Sequence, residues 1–125
     1  FSFSSQIASA DVGDLAVVVN QSCGNSSTTH GYTCGNGESG ASNQIQKYAY
    51  SSSGNASDIG NLLGTHWGSG GQSSTTFGYI TAGSPNNGGA SVDIIQKQSF
   101  SSDGDSTDVG NLVDANNYTG GGCQY

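Results

Sequence analysis

The sequence predicts an all-β protein of propeller-type, four-stranded antiparallel blades, and three observations predict it. An element of the form Asp, β-branched residue, Gly, Asp or Asn, Leu occurs three times, at Asp11–Leu15, Asp58–Leu62 and Asp108–Leu112. The copies lie 47 and 50 residues apart, and an aromatic residue (Phe3, Tyr50, Phe100) stands eight residues before each Asp. A repeat near that length, punctuated by turn residues every ten or so positions, has the length of a propeller blade. The composition agrees: 21 Gly, no Met and 32% hydrophobic residues leave no apolar stretch with the 3.6-residue period of a helix. A β-solenoid is the second choice, because its coils are shorter and less punctuated.

Taken in order, residues 1–16 supply the third and fourth strands of a unit, 17–63 and 64–113 are two complete units, and 114–125 supply a first strand only. Within a unit, a strand of small residues leads to Ser26-Ser27-Thr28-Thr29-His30-Gly31-Tyr32, matched by Ser73-Ser74-Thr75-Thr76-Phe77-Gly78-Tyr79. The distance from Asp to the Gly of that stretch is twenty residues both times, from Asp11 to Gly31 and from Asp58 to Gly78. The second strand is expected to end in this Gly-Tyr. A loop rich in Gly, Asn and Ser follows, then a third strand, Ile45–Tyr50 or Ile95–Phe100. A Ser/Gly turn leads into the fourth strand, the Asp-Val-Gly-Asn-Leu element. The partial units at either end lead to the expectation that blades are completed by neighbouring subunits or by a longer array.

Charge removes several function classes. Lys47 and Lys97 are the only basic side chains against nine acids, a net charge of −7. Nucleic-acid binding needs phosphates neutralised by Lys and Arg, so it is excluded as a role, and anionic membrane surfaces are poor partners for the same reason. No run is long and apolar enough to predict membrane insertion. An acidic surface rich in Ser, Thr, Asn and Gly suits an extracellular or virion-surface setting. Cys23 and Cys34 flank a segment that, as a hairpin turning at Thr28-Thr29, places them directly opposite each other. That is the geometry of a cross-strand disulfide, with two reduced thiols as the alternative. Cys123 is left over for an intermolecular bond or as a free thiol.

The combination Ile-x-Lys, Ser-x-Gly-Asn-Ala-x-Asp-Ile-Gly-Asn-Leu and Gly-Gln-Ser-Ser-x-Thr-x-Gly-Tyr resembles kelch-like propeller repeats of bacteriophage fibres, especially from marine phages. It is also similar to repeats of large secreted bacterial surface proteins. The resemblance covers nearly the whole chain. It departs where a Gly-Gly pair normally follows the Tyr, since Tyr32 leads to Cys34-Gly35 and Tyr79 to Ala82-Gly83. It implies a scaffolding and recognition role at a virion or cell surface, and it carries no shared catalytic set.

The candidate residues divide into structural and ligand-binding groups. Asp11, Asp58 and Asp108 recur in phase, and a carboxylate before a β-branched residue and Gly can accept backbone N–H bonds and fix a turn. Phe3, Tyr50, Phe100, Tyr32 and Tyr79 repeat in phase as packing between blades, and Lys47 and Lys97 are expected to pair with neighbouring Asp residues. Asp103, Asp105 and Asp108 crowd one loop and form a candidate calcium site, without the EF-hand pattern. No other cofactor is expected. A sialidase reading fails, because the chain has no Arg to clamp a substrate carboxylate. No Gly-x-Ser-x-Gly turn or facing pair of carboxylates marks a hydrolase, so no enzyme is expected. Trp67, beside His66 and with Tyr118 at a similar phase, is the candidate for stacking on a sugar ring, against the alternative of a Trp packed on a blade edge. Asn20, Asn25, Asn55 and Asn117 head N-glycosylation sequons.

These readings converge on a non-enzymatic structural and adhesive module of a virion fibre or extracellular filament. It self-associates into an oligomer or filament, with surface glycans as a candidate partner. The alternative is a secreted lectin forming a closed oligomeric propeller.

Overall fold

The structure, a computed structural model, describes residues 8–35, 42–85 and 90–116. All regular structure among them is β. The strands are β1 (Cys23–Ser26), β2 (His30–Cys34), β3 (Gln44–Ala49), β4 (Ser57–Asn61), β5 (His66–Trp67), β6 (Gly70–Ser73), β7 (Phe77–Thr81), β8 (Ser84–Pro85), β9 (Val92–Ser99) and β10 (Thr107–Asn116). Two four-stranded antiparallel meanders result, β1-β2-β3-β4 and β6-β7-β9-β10, one in each expected unit. Both sheets are open. β5 and β8 form a separate two-stranded pair beside the second meander, which the repeat pattern does not foreshadow.

The register of the first hairpin is the expected one, with Cys23 opposite Cys34 and Gly24 opposite Thr33. The second strand differs: β2 and β7 begin just before the Gly-Tyr instead of ending there. The reason is local. The hydroxyl of Ser27 accepts the N–H groups of Thr29 and His30, and that of Ser74 accepts those of Thr76 and Phe77, so each Ser-Thr-Thr is tied into a turn. A second difference concerns the last unit. β10 runs on to Asn116, past the expected boundary at 113, so 114–116 extend a fourth strand rather than open a new first one.

The threefold element has a physical cause. Opposite β3, Ile45 faces Gly60 and Gln46 faces Asp58, which leaves Ile59 as a bulge; opposite β9, Ile95 faces Gly110 and Gln96 faces Asp108, which leaves Val109. The Asp closes the bulge by accepting the N–H of the Gly two residues on, at 3.2 Å for Asp58 and 2.9 Å for Asp108. Asp11 does the same at 3.0 Å. Beyond the bulge the Gly sits at φ of +146°, +155° and +149° in the three copies, a region where a side chain is strained.

The core lies between the two meanders. Cys23, Tyr32, Cys34, Ile45, Leu62 and Ile80 are buried together, with Ile59 and Phe100 packed against them. Buried Gln96 and Gln98 share this interior, whereas Gln46, next to Ile45 in β3, is buried on the opposite face of the first meander. Gln46 accepts the N–H of Val17, and Gln96 accepts that of Leu63 and the hydroxyl of Ser106. A thin apolar core is therefore supplemented by amide side chains that satisfy backbone groups.

Candidate functional site

The repeat-to-repeat junction is the most elaborated surface in the structure. β1 of the first meander lies against β6 and β7 of the second. Asn25 donates its amide to the carbonyls of Gln72 (2.7 Å) and Tyr79 (3.1 Å), and the N–H of Ser26 donates to the hydroxyl of Ser73 at 2.9 Å. Tyr32 stacks on Phe100 with centroids 4.8 Å apart and planes at 20°. The thiol of Cys34 donates to Gln98. Gly71 has to be glycine, because a Cβ there would lie 2.1 Å from the carbonyl oxygen of Gly24. Along one edge, Lys47 pairs with Asp103. At the far end the Asp-Ile-Gly-Asn element meets the next repeat's turn. Asn61 donates its N–H to Asp105 at 2.8 Å and accepts the N–H of Ser106 at 2.8 Å.

The same junction begins again at the other side of the first meander. Asp14 donates to Asn55 at 3.0 Å and accepts the N–H of Ala56 at 2.8 Å, matching Asn61 with Asp105 and Ser106. Residues 10–14 thus form an arm that occupies the turn of the first meander as the fourth strand of a preceding unit would.

Equivalent residues of the two meanders nevertheless differ in burial. On the face of the first meander toward the second, Asn25, Tyr32, Cys34 and Ile45 are buried, Ile45 wholly so. Their equivalents in the second meander, Gln72, Tyr79, Thr81 and Ile95, are only half-buried. On the opposite face, Gln98 and Ile80 of the second meander are buried, whereas Tyr48 and Thr33 of the first are not. On that side of the first meander lies an open groove of about 380 Å³, lined by Gly24, Ser26, Thr33, Tyr48 and Tyr50 and reached also by Gly71 and Ser73 of the second meander. Tyr48 and Tyr50 meet edge to face at 6.3 Å. Tyr50, 54% exposed, is equivalent to the Phe100 that Tyr32 covers. Desolvation and the adjacent Tyr48 push its hydroxyl pKa up, opposed by a hydrogen bond with Ser26.

Of the expected ligand residues, Trp67 and His66 are described, as neighbours in β5. Trp67 is half-buried in β5, opposite Ser84. His66 is buried, 6% exposed, and desolvation lowers its pKa. Its Nδ1 has no hydrogen-bond partner among the described residues. Tyr118, Phe3 and Cys123 lie outside the described residues. The calcium candidates do not converge: Asp103 is held by Lys47, Asp105 by Asn61, and Asp108 by Gly110. No group of three or more potential metal-ligating side chains occurs among the described residues. Lys97 lies 4.5 Å above the ring of Phe77 and, among the described residues, pairs with no Asp. Cys23 and Cys34 stand opposite each other as two buried free thiols, without the bond expected between them. The Cys34 pKa is raised, first by its hydrogen bond with Cys23 and then by burial. Of the sequons, Asn25 is buried with its amide fully used in the junction.

Sequence reasoning passed over Gly24, Gly71, Tyr48 and the buried glutamines, and it took Asn25 only as the head of a sequon. One signal was available: Gln46 and Gln96 follow Ile and precede Lys in both units, and an invariant amide inside a strand pattern marks a buried polar anchor. A scan against protein-family models found no match, and a search of curated proteins found none.

Proposed function

We propose that the chain is a non-enzymatic structural and adhesive repeat module of a virion fibre or extracellular filament. In this reading its meanders are kelch-like propeller blades that stack on blades of neighbouring subunits. One observation carries it: the two outer faces of the meander pair are the uncovered equivalents of the two faces buried at the internal junction. A fold with thin layers gains its core from stacking, so an open copy of a stacking face favours association. The acidic surface, with two cations in 125 residues, disfavours polyanionic partners, and because like charges on two copies repel, the drive to associate comes from the uncovered faces.

The lectin alternative draws on a different observation. Two exposed tyrosines beside Ser26, Thr33 and Ser22 form a polar, aromatic-edged groove of the kind that stacks neutral sugar rings. Electron microscopy of concentrated protein tests the leading reading: extended polymers are expected, and discrete rings of fixed diameter favour the lectin. A glycan array then decides whether either assembly binds sugars. Signal lost in Tyr50→Ala and kept in Trp67→Ala would place the sugar in the groove.

A further inference from the structure

Gly24 is a glycine for which the chain itself has no use. It sits in β1, outside the positive-φ residues, and among the described residues a Cβ there would meet only the carbonyl oxygen of Tyr32, at an ordinary 3.7 Å. A strand interior is a costly place for glycine. Its equivalent Gly71 shows what the position is for, because the carbonyl of Gly24 presses against it where no Cβ fits. Gly24 therefore presents the same bare backbone outward into the open groove. Tyr50 repeats the logic, as an exposed aromatic in the place where Phe100 receives Tyr32.

We propose that the groove of one chain receives the second meander of another copy of the same chain, in the register by which the first meander packs on the second. This rests on the assembly reading above and specifies its junction. Transposing the internal contacts, the carbonyl of Gly71 lies on Gly24 of the second copy, and Tyr79 stacks on its Tyr50. The amide of Gln72 donates to the carbonyls of its Asn25 and Tyr32, as Asn25 donates to Gln72 and Tyr79 within one chain. Asn111 donates its N–H to its Asn55, as Asn61 does to Asp105. Two adjustments are required. The ring of Tyr48, which lies over Gly31 where Asn25 covers Gly78 at the internal junction, turns outward. The arm at 10–17, whose Val17 N–H also bonds Gln46 on this face, yields its place to residues 107–113 of the incoming copy, the first five of which repeat its Asp-Val-Gly pattern and bonding groups. Gly110, unlike Gly13 and Gly60, has no atom near its Cβ direction among the described residues, so this end is open to dock.

The test compares three full-length chains by sedimentation velocity over a range of concentrations, with melting temperature as a check on folding. Gly24→Val is expected to melt as the native chain does and to associate about a hundredfold more weakly or not at all. Gly13→Val places a Cβ against the carbonyl of Gly54, 2.3 Å away, and is expected to free the arm and tighten association by about tenfold. A mixture of Asn111→Cys and Asn55→Cys chains, both also Cys123→Ser, is expected to form disulfide-linked heterodimers that neither chain forms with a chain lacking the added cysteine. If the native chain associates, but Gly24→Val associates equally and the mixture does not cross-link, the proposed junction is overturned while the assembly reading stands. If the native chain and Gly13→Val both stay monomeric, both are overturned.

Discussion

Two glycines that meet at the junction, Gly60 and Gly104, carry different physical duties. Gly60 combines a φ of +155° with a carbonyl of Gly104 placed 2.3 Å from its Cβ direction. Gly60→Ala should therefore destabilise the fold by about 2 kcal/mol or more, since strain and overpacking add. Gly104 has φ of +146° but open space around it, so Gly104→Ala should lose only about 1 kcal/mol. Chemical denaturation of the two variants separates the terms. His66 is a second residue-scale test. Its folded pKa lies below the ordinary 6.5, so the unfolded chain takes up a proton at higher pH than the folded chain does. The stability held by neutral His66 is complete above about pH 6.5 and is lost as the pH falls toward the lower folded value. Melting temperature should fall on acidification through that window in the native chain, and the fall should be smaller in His66→Gln.

At the scale of elements, the strands are held by the junction more than by their own composition. β1 is four residues of small side chains, and Asn25 is the group that fixes it to β6 and β7. Asn25→Leu leaves two carbonyls without their donor and should cost about 2–3 kcal/mol. Asn25→Asp should cost at least as much, because a carboxylate cannot donate to a carbonyl. Denaturant midpoints decide both. By contrast, the Lys47–Asp103 pair lies at an exposed edge, and Lys47→Ala should change stability by about 0.5 kcal/mol, less still in high salt.

The same scale shows what was legible in the residues. The hairpin register at Cys23 and Cys34 and the phase of Asp11, Asp58 and Asp108 follow from spacing, which topology preserves. The start of β2 was not legible, because Ser27 and Ser74 compete for backbone N–H groups that a strand pattern alone assigns to the ladder. The β5–β8 pair follows none of the repeated motifs, so alignment of the units does not reveal it. Trp67 and His66 are neighbours in sequence, and their placement in a strand, where adjacent side chains take opposite faces, was not legible from that adjacency. The groove with Tyr48 and Tyr50 became visible only once burial could be compared between equivalent positions, since sequence equivalence alone says nothing about which copy is covered.

For the whole molecule, one junction appears between the meanders and in part again between the arm and the first turn. The outer faces offer its remaining halves. Under the proposed assembly, folding and association are the same interaction at two levels: a repeat would bury its neighbour's Tyr32-type aromatic, bond its carbonyls through an Asn or Gln amide, and close the edge with an Asp-Gly bulge. Variants that damage the internal junction should lower stability, whereas those confined to the outer faces should lower association alone. Sedimentation equilibrium of the native chain tests this most directly. The account predicts a mass that rises with concentration above the 12.5 kDa of one chain, reversibly on dilution. A single species of 12.5 kDa across the whole concentration range would contradict it.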